Sequence, residues 1–220
     1  MISAAAAALS GLLLAGCSDS SPEPPPGQTT PPSGSGVLVT APPPTADPGD
    51  DGVEHEVTYP FDTPTSTVTH DAAANAQAYL VGVYVGDHPE GGPAYQRVSF
   101  YFRGGFPSYR FGYVPRITAD GSGAEVQLEG AYFLNVVFTS AQAHDDSSGE
   151  STVEQTPARP VHLSALLDYA VAGDFEGHVT YGIGVAELGD SAPAVRAGEL
   201  KRPDGTGDFF YVVYFDVSAG

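Results

Sequence analysis

The chain has one cysteine, one lysine and no tryptophan, and its 8 Lys and Arg face 27 Asp and Glu, a net charge of −19. Each scarcity excludes something. A single cysteine, Cys17, cannot close an internal disulfide, so the fold must rest on burial, and it leaves the rest of the chain without a thiol nucleophile. All eight cations fall between Arg97 and Arg202, too few for the clustered Lys and Arg that nucleic acid requires. The same imbalance opposes electrostatic adhesion to anionic lipid. The uncharged run from Ile2 to Gly16 is shorter than the roughly 20 residues a spanning helix needs. Catalytic signatures are missing too: there is no Gly-x-Ser-x-Gly elbow, no glycine-rich phosphate loop ending in Lys-Ser/Thr and no His-Glu-x-x-His. The six histidines (55, 70, 88, 144, 162 and 178) form no pair at ligand spacing, so neither a metal nor a cofactor is expected.

What is present begins with Leu14-Ala15-Gly16-Cys17, which closes the uncharged run and opens onto Ser18-Asp19-Ser20. The stretch resembles a bacterial lipobox. That resemblance implies a signal peptide over residues 1–16, cleavage before Cys17 and a diacylglycerol on its thiol. A lipoprotein held at the extracytoplasmic face of the cell membrane is the resulting expectation. Residues 18–75 hold 12 of the 20 prolines among Gly, Ser, Thr and Asp. Few large apolar side chains are there to offset ordering entropy, so residues 17–75 read as a disordered tether. Its length reaches from about 45 Å as a coil to about 180 Å extended. Val53 to Thr69 could add an edge strand, but Pro60 and Pro64 argue against it.

From Tyr79 the texture changes to short Val, Tyr and Phe runs between Gly, Pro and Asp turns. Strands are expected at Tyr79–Gly86, Arg97–Arg103, Ser108–Val114, Glu125–Leu128, Tyr132–Thr139, His178–Val185 and Phe209–Val217. Leu163–Leu167 reads as a helical turn or two, Asp120–Gly123 as a tight turn, and Ala143–Pro160 as a long surface loop. The expected domain, residues 76–220, is an all-β antiparallel sandwich of seven to nine short strands with at most one short helix. Phe100, Phe102, Phe111, Phe133 and Phe215 are the expected core aromatics.

Two acidic loops raise the question of calcium: His144, Asp145, Asp146 and Glu150, and the Asp204–Asp208 run. A solvated loop and a hairpin turn are the commoner meanings. Eighteen of the acidic residues lie beyond position 76, so candidate carboxylate pairs for a glycosidase carry little meaning.

Several segments together resemble the AMIN-like domain of actinobacterial lipoproteins and secreted proteins. They are Val85-Gly86-Asp87-His88, Tyr95-Gln96-Arg97-Val98-Ser99-Phe100, Pro107-Ser108-Tyr109-Arg110-Phe111-Gly112-Tyr113-Val114, Asp120-Gly121-Ser122-Gly123, Gly173-Asp174-Phe175-Glu176-Gly177, and Gly184-Val185. Gln96 stands where members often carry an acid. The resemblance spans about residues 79–217 and implies a β-sandwich related to AMIN domains, which bring amidases and secretin components to the periplasmic wall. It implies no catalytic residues. The expected function is a non-catalytic envelope module, monomeric, that binds peptidoglycan, another wall polymer or an envelope protein. Arg97 and Arg110 are candidate partners for muropeptide carboxylates, and Tyr113 is a candidate cover for a sugar ring. The alternative is a carboxylate- or metal-dependent hydrolase of wall glycan or peptide.

Overall fold

A computed structural model describes residues 53–73, 76–90 and 92–220. The expected signal peptide, Cys17 and the proline-rich stretch up to residue 52 lie outside the described residues. Within them, eleven strands follow in chain order: β1 (Glu54–Asp62), β2 (Val68–His70), β3 (Ala78–His88), β4 (Tyr95–Arg103), β5 (Ser108–Val114), β6 (Tyr132–Thr139), β7 (Ala141–Gln142), β8 (Leu166–Phe175), β9 (His178–Val185), β10 (Val195–Pro203) and β11 (Phe209–Ser218). They form two sheets, ordered β1-β10-β11-β4-β3-β7 and β2-β5-β6-β9-β8. All named pairings are antiparallel except the short β3–β7 contact. The architecture is the expected all-β sandwich.

Alternation decides which faces meet. On β4, Val98, Phe100 and Phe102 point inward and are fully buried. On the opposing sheet Leu134, Val136, Phe138, Val179, Tyr181 and Ile183 answer them. The Phe100 ring sits 4.9 Å from Phe138 and 4.9 Å from Tyr181, both edge-on. Phe102, Phe111 and Phe215 are buried as expected, but Phe133 is not. On β6 the fully buried, inward positions are Leu134, Val136 and Phe138, so Phe133 shares the outer parity of Asn135 and Val137, and Phe138 takes the place expected of it.

Three further expectations give way to tertiary context. Leu163–Leu167 is not helical, because Leu166 already opens β8. Gln96 explains why: from inside β4 its Oε1 accepts the N–H groups of Ala165 (2.7 Å) and Leu166 (2.8 Å), tying the two sheets together. Glu125–Leu128 is not a strand either; only Glu125 pairs, with Thr118. Instead the segment from Pro115 to Gly130 lies across the outer face of β9. Gly184 makes this possible, since a Cβ there would stand 1.9 Å from the Glu129 carbonyl oxygen. Finally, β1 and β2 fall in the stretch read as tether. β1 is an edge strand on β10, and its register slips between Val57 and Tyr59 and again between Tyr59 and Asp62, around Pro60. An edge tolerates a proline that lacks an N–H.

Where β1, β10 and β2 approach one another, Glu199 is buried and its Oε1 makes no hydrogen bond, with His70 Nε2 3.2 Å away. Burial, then the facing carboxylate of Glu56, pushes the Glu199 carboxyl up to about 7. A folded-state value above the unfolded one means stability that is complete below about pH 4.5 and lost as pH rises through about 7. Between pH 5 and 8, thermal melts should show the wild type losing ground to Glu199→Gln, which stays neutral. Parallel melting curves would show that Glu199 is not held protonated.

Candidate functional site

The outer face of the β2-β5-β6-β9-β8 sheet is partly open. Register sets its floor: Arg110 on β5 lies beside Val137 on β6, which lies beside Thr180 on β9 and then Gly173 on β8. The next row holds Gly112, Asn135 and Gly182. The 115–130 segment covers the Gly182–Gly184 end of the face and leaves the rest as a concavity of about 350 Å³. Its walls are Arg110, Arg116, Asp120, Glu176 and Phe175 over the Asn135–Val137–Thr180 floor.

Each wall is fixed by local structure. Asp120 sits over Gly173, where a Cβ would lie 2.1 Å from its carboxylate. It accepts a 2.6 Å hydrogen bond from the Thr180 hydroxyl, and its own N–H donates to Ala172. Phe175 and His178 close the β8–β9 hairpin across Glu176 and Gly177, whose φ values of 50° and 74° suit a type I′ turn. This presents the Phe175 ring to solvent, 64% exposed, at the rim of the concavity. The 115–130 segment is anchored in turn by Asp168, which accepts from Glu129 N–H and is gripped bidentately by Arg159.

Charge pairing separates this face from the other. Asp216, fully buried on β11, is held by Arg97 through Nε and Nη2 and by Arg196. Arg97 in turn stacks over the Tyr214 ring at 3.8 Å. Arg103 pairs with Asp204, Arg159 with Asp168, and Lys201 with Glu54. Arg202 lies close enough to the Tyr101 hydroxyl to oppose the rise that burial gives it, but pairs with no carboxylate among the described residues. Arg110, Arg116 and Arg202 are the Lys and Arg cations without an ion-pair partner among the described residues, and the first two line the concavity.

The three contact residues read from sequence are therefore not brought together. Arg97 lies on the outer face of the β1-to-β7 sheet, tied to Asp216. Tyr113 points into the sandwich, donates to the Pro193 carbonyl at 2.8 Å, and burial raises its hydroxyl well above the usual range. Only Arg110 reaches the open face. Arg116, Asn135, Phe175 and Thr180 were missed; with Asp120 four residues on, Arg116 had no distinguishing local signal, and neither had the cross-strand neighbours.

The remaining polar clusters are satisfied internally. Asp145 Oδ1 accepts from the backbone and hydroxyl of both Ser147 and Ser148, and these bonds hold its carboxyl near 2. Asp204 is bound likewise by Thr206 and Arg103 in the turn between β10 and β11. His144 Nδ1 meets Asp174 at 2.6 Å, which raises the imidazole's pKa. No group of three His, Asp or Glu among the described residues is arranged to hold a metal ion.

A family model for the AMIN-like domain matches residues 78–205, more than half of the chain. The chain belongs to the AMIN-like domain family. No curated protein and no solved structure matches it. The match to the AMIN-like domain takes in β3 to β10 and every residue of the concavity. It leaves out β1, β2 and β11, although β11 lies in the sheet between β10 and β4.

Proposed function

We propose that this chain is a non-catalytic envelope lipoprotein whose AMIN-like domain binds a wall polymer through the concavity between β5 and the β8–β9 turn. One observation carries the reading: in a chain of net charge −19, two of the three arginines that pair with no carboxylate among the described residues share one open concavity. Unpaired guanidiniums there suit the carboxylates of wall peptides, to which arginine can donate two parallel hydrogen bonds. The exposed Phe175 ring adds an apolar surface for a sugar or side chain. Membership of the AMIN-like family supports the wall as the partner.

The full chain should be enriched on purified sacculi, and Arg110→Ser/Arg116→Ser should lose most of that enrichment while melting like wild type, since neither arginine holds a structural partner. Equal retention of the double variant would place binding elsewhere, and no retention of the wild type would remove the wall as ligand.

Anchoring completes the proposal. Cys17 carries the lipid and residues 18–52 give the domain its reach. Fractionation of cells carrying Cys17→Ser should find the protein released from the membrane with an unprocessed or altered mass. Unchanged membrane retention at unchanged mass would refute lipidation.

A further inference from the structure

The concavity holds acids as well as arginines, and they do not meet. Asp120 and Glu176 line it together with Arg110 and Arg116, yet no ion pair joins the two sets. Register explains the gap. Arg110 rises from β5, while Asp120 is pinned over Thr180 on β9, two strands away across Val137 on β6. Two strand spacings amount to about 10 Å. Glu176 sits at the β8–β9 turn, on the Asp120 side of the floor. An acidic protein ordinarily consumes its few cations in surface pairs, as Arg103, Arg159, Arg196 and Lys201 do here. This concavity instead keeps Arg110 on one side and Asp120 on the other, joined by no ion pair, with Arg116 and Glu176 in the same lining and an exposed aromatic at the rim.

We infer that the concavity recognises a zwitterionic peptide, its carboxylate held by Arg110 and Arg116 and its amine by Asp120 and Glu176, on strands about 10 Å apart. The inference rests on the concavity being the binding face, and adds the ligand's charge pattern to that reading. A neutral glycan would leave all four charges desolvated without partners, and a purely anionic polymer would face the Asp120 side with like charge. A lysine-type amine and a terminal carboxylate separated by a short backbone satisfy both sides at once.

The test is calorimetric titration of the full chain with the tripeptide N-acetyl-Lys-Ala-Ala, its side-chain amine and terminal carboxylate both free, against the form acetylated on the lysine amine and the C-terminal amide. Each cap should weaken binding by about tenfold or more, the scale of one charge-assisted contact. Asp120→Asn keeps an acceptor for Thr180 and should abolish the penalty for acetylation while preserving that for amidation. Arg110→Gln/Arg116→Gln should show the reverse. Equal binding of the three peptides, failure of the free peptide to bind at millimolar concentration, or penalties that ignore these substitutions would overturn the inference. Enrichment on sacculi that needs Arg110 and Arg116 but ignores the amine would overturn it while leaving the wall reading intact. Charge-dependent peptide binding without sacculus enrichment would sustain the inference and remove the wall reading.

Discussion

Asp216→Asn should destabilise the domain by about 3–5 kcal/mol, the range for breaking a buried ion pair from one side. Asp216 has no exposure and serves two cations: Arg97 donates through Nε to Oδ1 and through Nη2 to Oδ2, and Arg196 donates to Oδ2. The loss falls mainly on Arg97. Its side chain is 6% exposed, against 25% for Arg196, so Arg196 can turn to water and Arg97 cannot. Arg97 would be left charged beneath the Tyr95 and Tyr214 rings. Replacing both members, as Arg97→Met/Asp216→Leu, should cost less than the sum of the single changes, because no buried charge is then stranded. Chemical denaturation of the four proteins gives the cycle. A loss under about 1 kcal/mol for Asp216→Asn would show that the network is solvated and structurally idle.

Phe100→Ala should cost a similar 3–5 kcal/mol for a different reason. The ring is fully buried in the middle of β4 and stands between the sheets, with Phe138 and Tyr181 on one side and Phe215, 6.2 Å away, on the other. These neighbours belong to β6, β9 and β11, the central strands of the sandwich, whose backbones are held by ladders on both sides. Such strands cannot collapse into the void, so the cavity penalty adds to the lost burial. Phe133→Ala, on the opposing sheet and of outer parity, should cost much less. Equal losses at the two positions would contradict the facing of β6.

The contrast between those two phenylalanines shows how much of the fold was legible. Alternating runs announced β4, β5, β6, β9 and β11 almost to the residue, because one face of each is apolar. β10 gave no such signal. Its sequence carries Gly198 and Glu199 in mid-strand, and Gly198 is required there because the Tyr214 hydroxyl would lie 2.2 Å from a Cβ. The entry to β8 looked helical because Leu163, Leu166 and Leu167 recur at helical spacing, and the contact from Gln96 that overrules this comes from about 70 residues away in sequence. For Phe133 the alternation was visible but its phase was not, since Tyr132, Phe133 and Leu134 are all apolar and either parity buries a large side chain.

The site was less legible than the fold. Arg97 and Arg110 look alike in sequence, each on a strand of β character, and only the pairing of β4 with β11 delivers an aspartate to one of them. Arg116 and Asp120 come from a turn-rich segment, while Asn135, Thr180 and Phe175 arrive from three other strands. Their meeting is a product of sheet order, and no spacing in the sequence encodes it.

The central claim is that the open face of the β2-to-β8 sheet is where this protein meets the wall. Amide shift mapping of the full chain with soluble wall fragments tests it most directly. The account predicts perturbations concentrated at Arg110, Arg116, Asn135, Phe175 and Thr180, with Arg97, Tyr95 and Tyr214 on the opposite sheet unmoved. Perturbations centred on the Arg97–Tyr214 face, or none at fragment concentrations that saturate sacculus binding, would contradict it.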